Sequence, residues 1–204
     1  MRLVRNTHQY YDDRGVEYLS VTHLLQELFP IERKYFKDEH RIRGNYVHEA
    51  LMAILMDMTG AEIYEKSQYW PYIKAGLDFI AQVSPDEIIG FEKIICDSKY
   101  LIAGTVDLVL SVNGKVLIID WKTGAPAVYT AMQIAAYAQM LELEMYGAEN
   151  GEISGYAVRL KPDGNYSIED TCKGVPYNRI YWRQAWSAVK VVKNIQRLLK
   201  GESK

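Results

Sequence analysis

Asp107 and Asp120 are the residues whose type and spacing first suggest chemistry. They stand in the run Gly104-Thr-Val-Asp-Leu-Val-Leu-Ser-Val-Asn-Gly-Lys-Val-Leu-Ile-Ile-Asp-Trp-Lys122, two apolar stretches joined by Asn113-Gly114. Asn-Gly between apolar stretches signals a hairpin with a two-residue type I′ turn. Such a turn fixes the register: Val112 faces Lys115, Leu110 faces Leu117 and Asp107 faces Asp120. Opposed residues of an antiparallel pair have Cβ atoms about 4.5–5.5 Å apart on one face, and the two-residue period of a strand puts Lys122 on the face of Asp120. Two carboxylates that close, among aliphatic neighbours, repel unless a positive group lies between them. A divalent cation meets that need. An incomplete shell of oxygen ligands suits Mg²⁺ or Mn²⁺, one ion or two, with water and a substrate phosphate in the remaining positions. Lys122 either pairs with one of the carboxylates, or positions an attacking water and neutralises charge on a phosphoryl transition state. The two roles are compatible when no metal is bound.

The elements that must position these groups read as follows. Ser20 to Pro30 offers an N-cap, an apolar helix and a proline stop. Gly44 to Met58 is amphipathic, with Val47, Leu51, Ile54 and Leu55 three and four apart, and a third helix spans Trp70 to Val83. Three strands follow, Glu87 to Asp97, Tyr100 to Val112 and Lys115 to Lys122, forming a meander that Thr123-Gly-Ala-Pro126 ends. Ala131 to Tyr146 is helical in composition. It can cross over to a fourth strand at Ser154 to Leu160, paired with Tyr166 to Asp170 around the turn Lys161-Pro-Asp-Gly-Asn165; Arg179 to Lys200 is a terminal helix. The fold class is α/β: a mixed central sheet flanked by helices, with extra N-terminal helices. The chain reads as a single domain over 1–204, a helical part to about residue 85 and a core over about 86–204, with His48 contributed from the helical part.

The bulk numbers narrow the class without naming it. With 204 residues, 49% hydrophobic and 25% charged, the chain can bury a sizeable core. A net charge of −2 does not advertise a nucleic-acid binder, yet it averages over faces. One local exception is Glu32 to Gly44, where Arg33, Lys34, Lys37, Arg41 and Arg43 are interleaved with Tyr35 and Phe36. That mixture suits phosphates and stacked bases of a single strand, though its three acids also suit a solvated face. Tyr69-Trp70-Pro71-Tyr72 is either a stacking platform or a cap on the helices. Cys96 and Cys172 have no metal-ligand spacing and read as free thiols in a reducing compartment. No run approaches the length of a membrane span, and no secretory signal is visible, so the expected location is cytoplasmic, in a bacterial cell or a virus-infected host.

Gly104-x-x-Asp107, then Asp120-x-Lys122, then Gln133-x-x-x-Tyr137, preceded by Arg43-Gly44-x-x-x-His48, resembles the PD-(D/E)xK nuclease superfamily and its RecB-like exonuclease branch. The resemblance implies a restriction-endonuclease-like core, αβββαβ. It implies that His48, Asp107, Asp120 and the backbone carbonyl of Trp121 are metal ligands and that Lys122 is the catalytic lysine. It gives Gln133 the orienting of metal-site groups or a phosphate, and Tyr137 a contact with the DNA strand. Without it, Gln133 and Tyr137 are a polar helix face with a half-buried tyrosine, and His48, a lone histidine on a helix, reads as structural or exposed. Glu92, on the first strand of the meander, is either a further ligand or a partner of a lysine on the sheet surface. Arg43 is the preferred phosphate contact; Thr123, Lys34, Lys37 and Arg41 are further candidates for DNA contact. A liganding His48 must be neutral, so activity is expected to fall below about pH 6.5. With two cysteines rather than four, no iron–sulfur cluster is expected. No phosphate loop of a motor is present, so any unwinding must come from elsewhere.

The activity implied is exonucleolytic hydrolysis of DNA, preferentially single-stranded, in repair, recombination or replication. Its partners would be DNA and a helicase, recombinase or single-strand-binding protein, with no membrane. A structure-specific or nicking endonuclease, a catalytically idle DNA-binding or assembly subunit, and a hydrolase of small phosphate esters are the alternatives.

Overall fold

In a computed structural model of the chain, the described residues are 1–4, 9–30, 38–125, 127, 129–147, 153–169, 182–184 and 187. The elements are β1 (Arg2–Val4), β2 (Gln9–Tyr11), β3 (Glu17–Ser20), α1 (Val21–Leu28), α2 (Asp38–Leu55), α3 (Trp70–Val83), β4 (Glu87–Asp97), β5 (Ile102–Val112), β6 (Lys115–Lys122), α4 (Thr130–Tyr146), β7 (Ser154–Leu160) and β8 (Tyr166–Glu169). Local sequence signals explain many of the boundaries. The Ser20 side chain caps α1 by accepting from the His23 N–H at 3.4 Å. Pro71 sits in the first turn of α3, where its missing N–H costs nothing. Asn113 and Gly114 both have positive φ, +50° and +72°, as a type I′ turn requires. Of the expected terminal helix, only 182–184 and 187 are described, and they are helical; the remainder of 179–200 lies outside the described residues.

The first 20 residues correct the expectation of an all-helical N-terminal part: they form three strands. Strands of three or four residues carry too little alternation to be read from sequence. Moreover β3 is held by a distant partner, pairing parallel with β5 through Leu19↔Ile102 and Ser20↔Ala103. The second helix also starts earlier than its apolar pattern, at Asp38 rather than Gly44.

All eight strands join one mixed sheet, in which β5 has three partners. The long antiparallel β4 occupies one edge of β5 from Ile102 to Ser111. The other edge is therefore shared: β6 takes Leu108–Val112 and β3 takes Ile102 and Ala103. Gly104 to Asp107 lies between those two ladders, and the functional residues gather at that opening. The meander β4–β5–β6 and the parallel β6–β7 crossover through α4 follow the expectation.

Helices cover both faces. Leu24 and Leu25 of α1 and Tyr137, Ala138 and Leu141 of α4 pack with Val106, Val109 and Ile118. On the other face Val47 and Leu51 of α2 and Ile73 and Phe79 of α3 pack with Leu108, Leu110, Ile119 and Trp121. Each fully buried aliphatic or aromatic side chain contributes about 1.5–3 kcal/mol. Val106 and Val109, three apart, lie in the same core, whereas strict alternation would put them on opposite faces. The break falls at Asp107 and, on β4, beside Glu92, whose φ is +42°.

Gly104 locks β5 to α4. A Cβ built on it would lie 2.3 Å from Cε1 of the Tyr137 ring, closer than any real contact. Gly104→Ala is expected to cost about 1–3 kcal/mol through overpacking, read as a lower urea midpoint at unchanged slope; a wild-type midpoint would contradict this packing.

Candidate active site

The site is built by the β5–β6 hairpin, one turn of α2 and a bend in β4. The ladder between β5 and β6 stops at Leu108↔Ile119. Beyond it the Asp107 carboxylate replaces the backbone partner: its Oδ2 accepts the Trp121 N–H at 2.8 Å. Asp107 Oδ1 lies 3.6 Å from Nδ1 of His48. The other ring nitrogen, Nε2, donates to the Trp121 carbonyl at 3.2 Å, since a carbonyl can only accept. His48 thus bonds β6 through Nε2 and turns Nδ1 toward the Asp107 carboxylate on β5.

Glu92 completes this group. Its ligand atom and those of His48 and Asp107 all lie within 4.8 Å of one another, with each residue partly buried. A left-handed conformation in a strand is costly for a residue with a Cβ, by about 1 kcal/mol or more. Here it accompanies a change in which face the side chains take, and it brings a third potential ligand to the cluster. The sequence signals an acid at this position but nothing of the bend.

Asp120 is not in that group. Its Oδ2 is 2.5 Å from the Lys122 ammonium, Asp120 being 7% and Lys122 25% exposed. The ammonium is the close charged partner of that buried oxygen. Burial pushes the Asp120 carboxyl up, with Asp107 adding to the push and Lys122 and His48 opposing it. For Lys122, burial favours the neutral amine, but Asp120 and Asp107 win and hold the ammonium above its ordinary range. Lys122 is consequently a fixed cation and donor at neutral pH rather than a proton acceptor.

Gln133 and Tyr137 face the same opening from α4. The Gln133 amide donates to Thr22 Oγ1 at 2.9 Å and to the Tyr137 hydroxyl at 3.0 Å. Tyr137 is 3% exposed, and burial keeps its phenol protonated. Thr22, on α1, was not signalled in the sequence; a threonine in the first turn of a helix carries no distinguishing pattern. Tyr10 was likewise missed, and its hydroxyl pairs with Thr105 Oγ1 at 2.9 Å.

These residues line one cleft of about 550 Å³, which also takes in Leu3, His23, Arg41, Asn45 and Glu49. Arg41 is exposed and near Asp38, at 3.7 Å. Arg43 lies with its guanidinium carbon 5.1 Å from the centre of the Tyr72 ring, a cation–π contact, and its Nε is buried without a hydrogen-bond partner among the described residues. Its terminal nitrogen approaches Gly124, and Thr123 Oγ1 lies beside Gly44, so the start of the motif on α2 packs on the turn after β6. Tyr72, considered for stacking, is 9% exposed and belongs to the core under α3. Lys34 and Lys37 lie outside the described residues.

The bend at Glu92 makes a direct prediction. Glu92→Gly, measured by urea unfolding in a chelator, is expected to be more stable than Glu92→Ala by about 0.5–1 kcal/mol, because both lose the carboxylate and only glycine adopts positive φ freely. An alanine variant as stable as the glycine variant would show that the conformation carries no strain.

The model of the PD-(D/E)XK nuclease superfamily matches residues 20–203. No curated protein matches at a significant level. Among solved structures, a crystal structure from Eubacterium rectale whose name is "Putative exonuclease" is similar at 16% identity with a TM-score of 0.50, covering 100% of this chain and 89% of its own. Its likeness concerns the fold. The crystal structure of SSO0001, at 17% identity over 73% of each chain, has a TM-score of 0.28 and carries no argument. The family match runs from the capped start of α1 through the hairpin and α4, and the chain belongs to the PD-(D/E)XK nuclease superfamily.

Proposed function

We propose that this protein is a metal-dependent deoxyribonuclease of the RecB-like type, an exonuclease acting preferentially on single-stranded DNA. The observation that carries the reading is the meeting, in one cleft, of His48, Glu92 and Asp107 with the Asp120–Lys122 ion pair. Superfamily membership makes a divalent metal and a DNA substrate the expected chemistry.

The residues present fit such an ion. One imidazole and two carboxylates within 4.8 Å of one another are a donor set suited to Mg²⁺ or Mn²⁺. In this reading His48, Glu92 and Asp107 hold the metal, with Asp120 and the Trp121 carbonyl as further oxygen donors. A bound divalent cation supplies Lewis-acid polarisation of the scissile phosphate and acidifies a water. Lys122, kept cationic by Asp120 and Asp107, donates to the attacking water or to a phosphate oxygen and offsets charge as the P–O bond breaks. Arg43 lies at the turn after β6, where its guanidinium can meet a neighbouring phosphate. Thr123 and Arg41 are further contacts. Tyr137 and Gln133 hold the wall opposite through Thr22.

The biological setting proposed is repair, recombination or replication of DNA in the cytoplasm, with a helicase, recombinase or single-strand-binding protein as partner. Among the described residues no helix is long and apolar enough to cross a membrane.

A gel assay of linear single-stranded, linear duplex and circular single-stranded DNA with Mg²⁺ or Mn²⁺ tests the reading. Loss of linear single strands, reduced at least a hundredfold in Lys122→Ala, is the expected result. Cleavage of circles by the wild type would make it an endonuclease, and inertness toward every substrate with either metal would leave a binding subunit.

A further inference from the structure

The strands β1–β3 form part of the wall of the cleft and have no role in the chemistry described above. Leu3 of β1 and Tyr10 of β2 line the same space as His48, Glu92 and Asp107. Tyr10 is 3% exposed, packs with Tyr18, Ala103 and Leu3 in a small core of its own, and bonds Thr105 Oγ1, two residues from Asp107 on β5. Through Thr105 and the shared cleft it neighbours the candidate metal-binding group.

This wall is fastened at several points. β3 is hydrogen-bonded into the sheet beside β5, and the Leu19 N–H donates to the Leu101 carbonyl at 2.8 Å. The β2–β3 turn is tied by Asp12, whose Oδ1 accepts the N–H groups of Arg14 and Val16, both at 2.9 Å. Gly15 supplies the positive φ of +80° that the turn needs. Buried aromatic packing and strand pairing of this kind do not open on the timescale of a surface loop. Along β5 from Asp107, the next cleft residue is Thr105, taken up by Tyr10, and then Ala103 is fully buried beneath Tyr10 and Tyr18.

We infer that β1–β3 are an end stop: Tyr10 and Leu3 close the cleft beyond the metal-binding group, so that the terminus of a single strand, and not the middle of a continuous one, reaches Asp107. The inference rests on the nuclease reading above and adds to it the structural element that selects a strand end. His23, Gln26, Arg41 and Asn45 line the same cleft and supply polar surface along which a strand can lie. Tyr10 and Leu3 are specificity-determining residues here, with no part in bond breaking.

The test compares linear and circular single-stranded DNA of one sequence, digested with Mn²⁺ by the wild type, Tyr10→Ala and Leu3→Ala. Wild type digests only the linear form. Opening the wall is expected to raise the ratio of circular to linear cleavage at least tenfold, a change that mere loss of stability would not produce because both rates would fall together. Leu3 is partly exposed at the end of the sheet, so Leu3→Ala carries the test if Tyr10→Ala does not fold. Circles left intact by folded variants that still digest linear DNA would overturn the end stop and leave the nuclease reading standing. Cleavage of circles by the wild type would overturn it directly. Absence of all cleavage by the wild type would remove the nuclease reading and the inference with it.

Discussion

Three carboxylates, those of Glu92, Asp107 and Asp120, are held around one imidazole and one ammonium in a cleft that water only partly reaches. Like charges at such distances repel strongly where the dielectric is low, so the surrounding fold must impose their positions. The imposition is visible in the backbone. β5 gives up a continuous partner on one edge between Ala103 and Leu108, the Asp107 carboxylate takes over the Trp121 N–H, and Glu92 occupies a left-handed conformation in a strand. Each departs from regular sheet geometry, and each is next to the same cluster. Departures of this kind persist where packing over-determines them, and here two cores, one under α1 and α4 and one under α2 and α3, clamp the hairpin from both faces.

The ion pair of Lys122 with Asp120 is the local answer to this repulsion. A buried pair is weak evidence for stability, since desolvation consumes most of its attraction. Its consequence for chemistry is clearer: with Asp120 and Asp107 both raising the affinity of Lys122 for its proton, the lysine remains a cation. The motif spacing Asp-x-Lys thus puts a fixed positive charge one strand period from a buried carboxylate in the cleft. Gly104 and Tyr137 belong to the same design. The missing side chain at Gly104 is the space into which the Tyr137 ring fits, which explains in steric terms why a glycine on β5 and a tyrosine on α4 go together.

Much of this arrangement was legible in the sequence. Asn113-Gly114 fixed the hairpin register from Val112↔Lys115 to Leu108↔Ile119, because turn geometry is local, whereas the expected facing of Asp107 and Asp120 lies beyond the paired residues, where the Asp107 carboxylate takes the Trp121 N–H. The helices over Val21–Leu28, Trp70–Val83 and Thr130–Tyr146 followed from periodicity and caps. What was not legible depends on distant partners. β1 to β3 are too short to announce themselves, and β3 exists as a strand because β5 offers it two residues of edge. The left-handed Glu92 lacks the glycine or asparagine that normally flags positive φ. Thr22 and Tyr10 reach the cleft only through packing of the first helix and strands against the sheet, and nothing in their own neighbourhoods reports it.

The central claim is that His48, Glu92 and Asp107 form one divalent-cation site. Thermal unfolding with and without Mn²⁺ tests it most directly, without reliance on a substrate. At a concentration a hundred times the dissociation constant, binding to the folded state adds about 2.7 kcal/mol, a rise of several degrees in Tm. The account predicts that rise for the wild type and its loss in Asp107→Asn and in Glu92→Gln, with Asp163→Asn, on an exposed turn, behaving as wild type. An equal rise in Asp107→Asn and the wild type would contradict it.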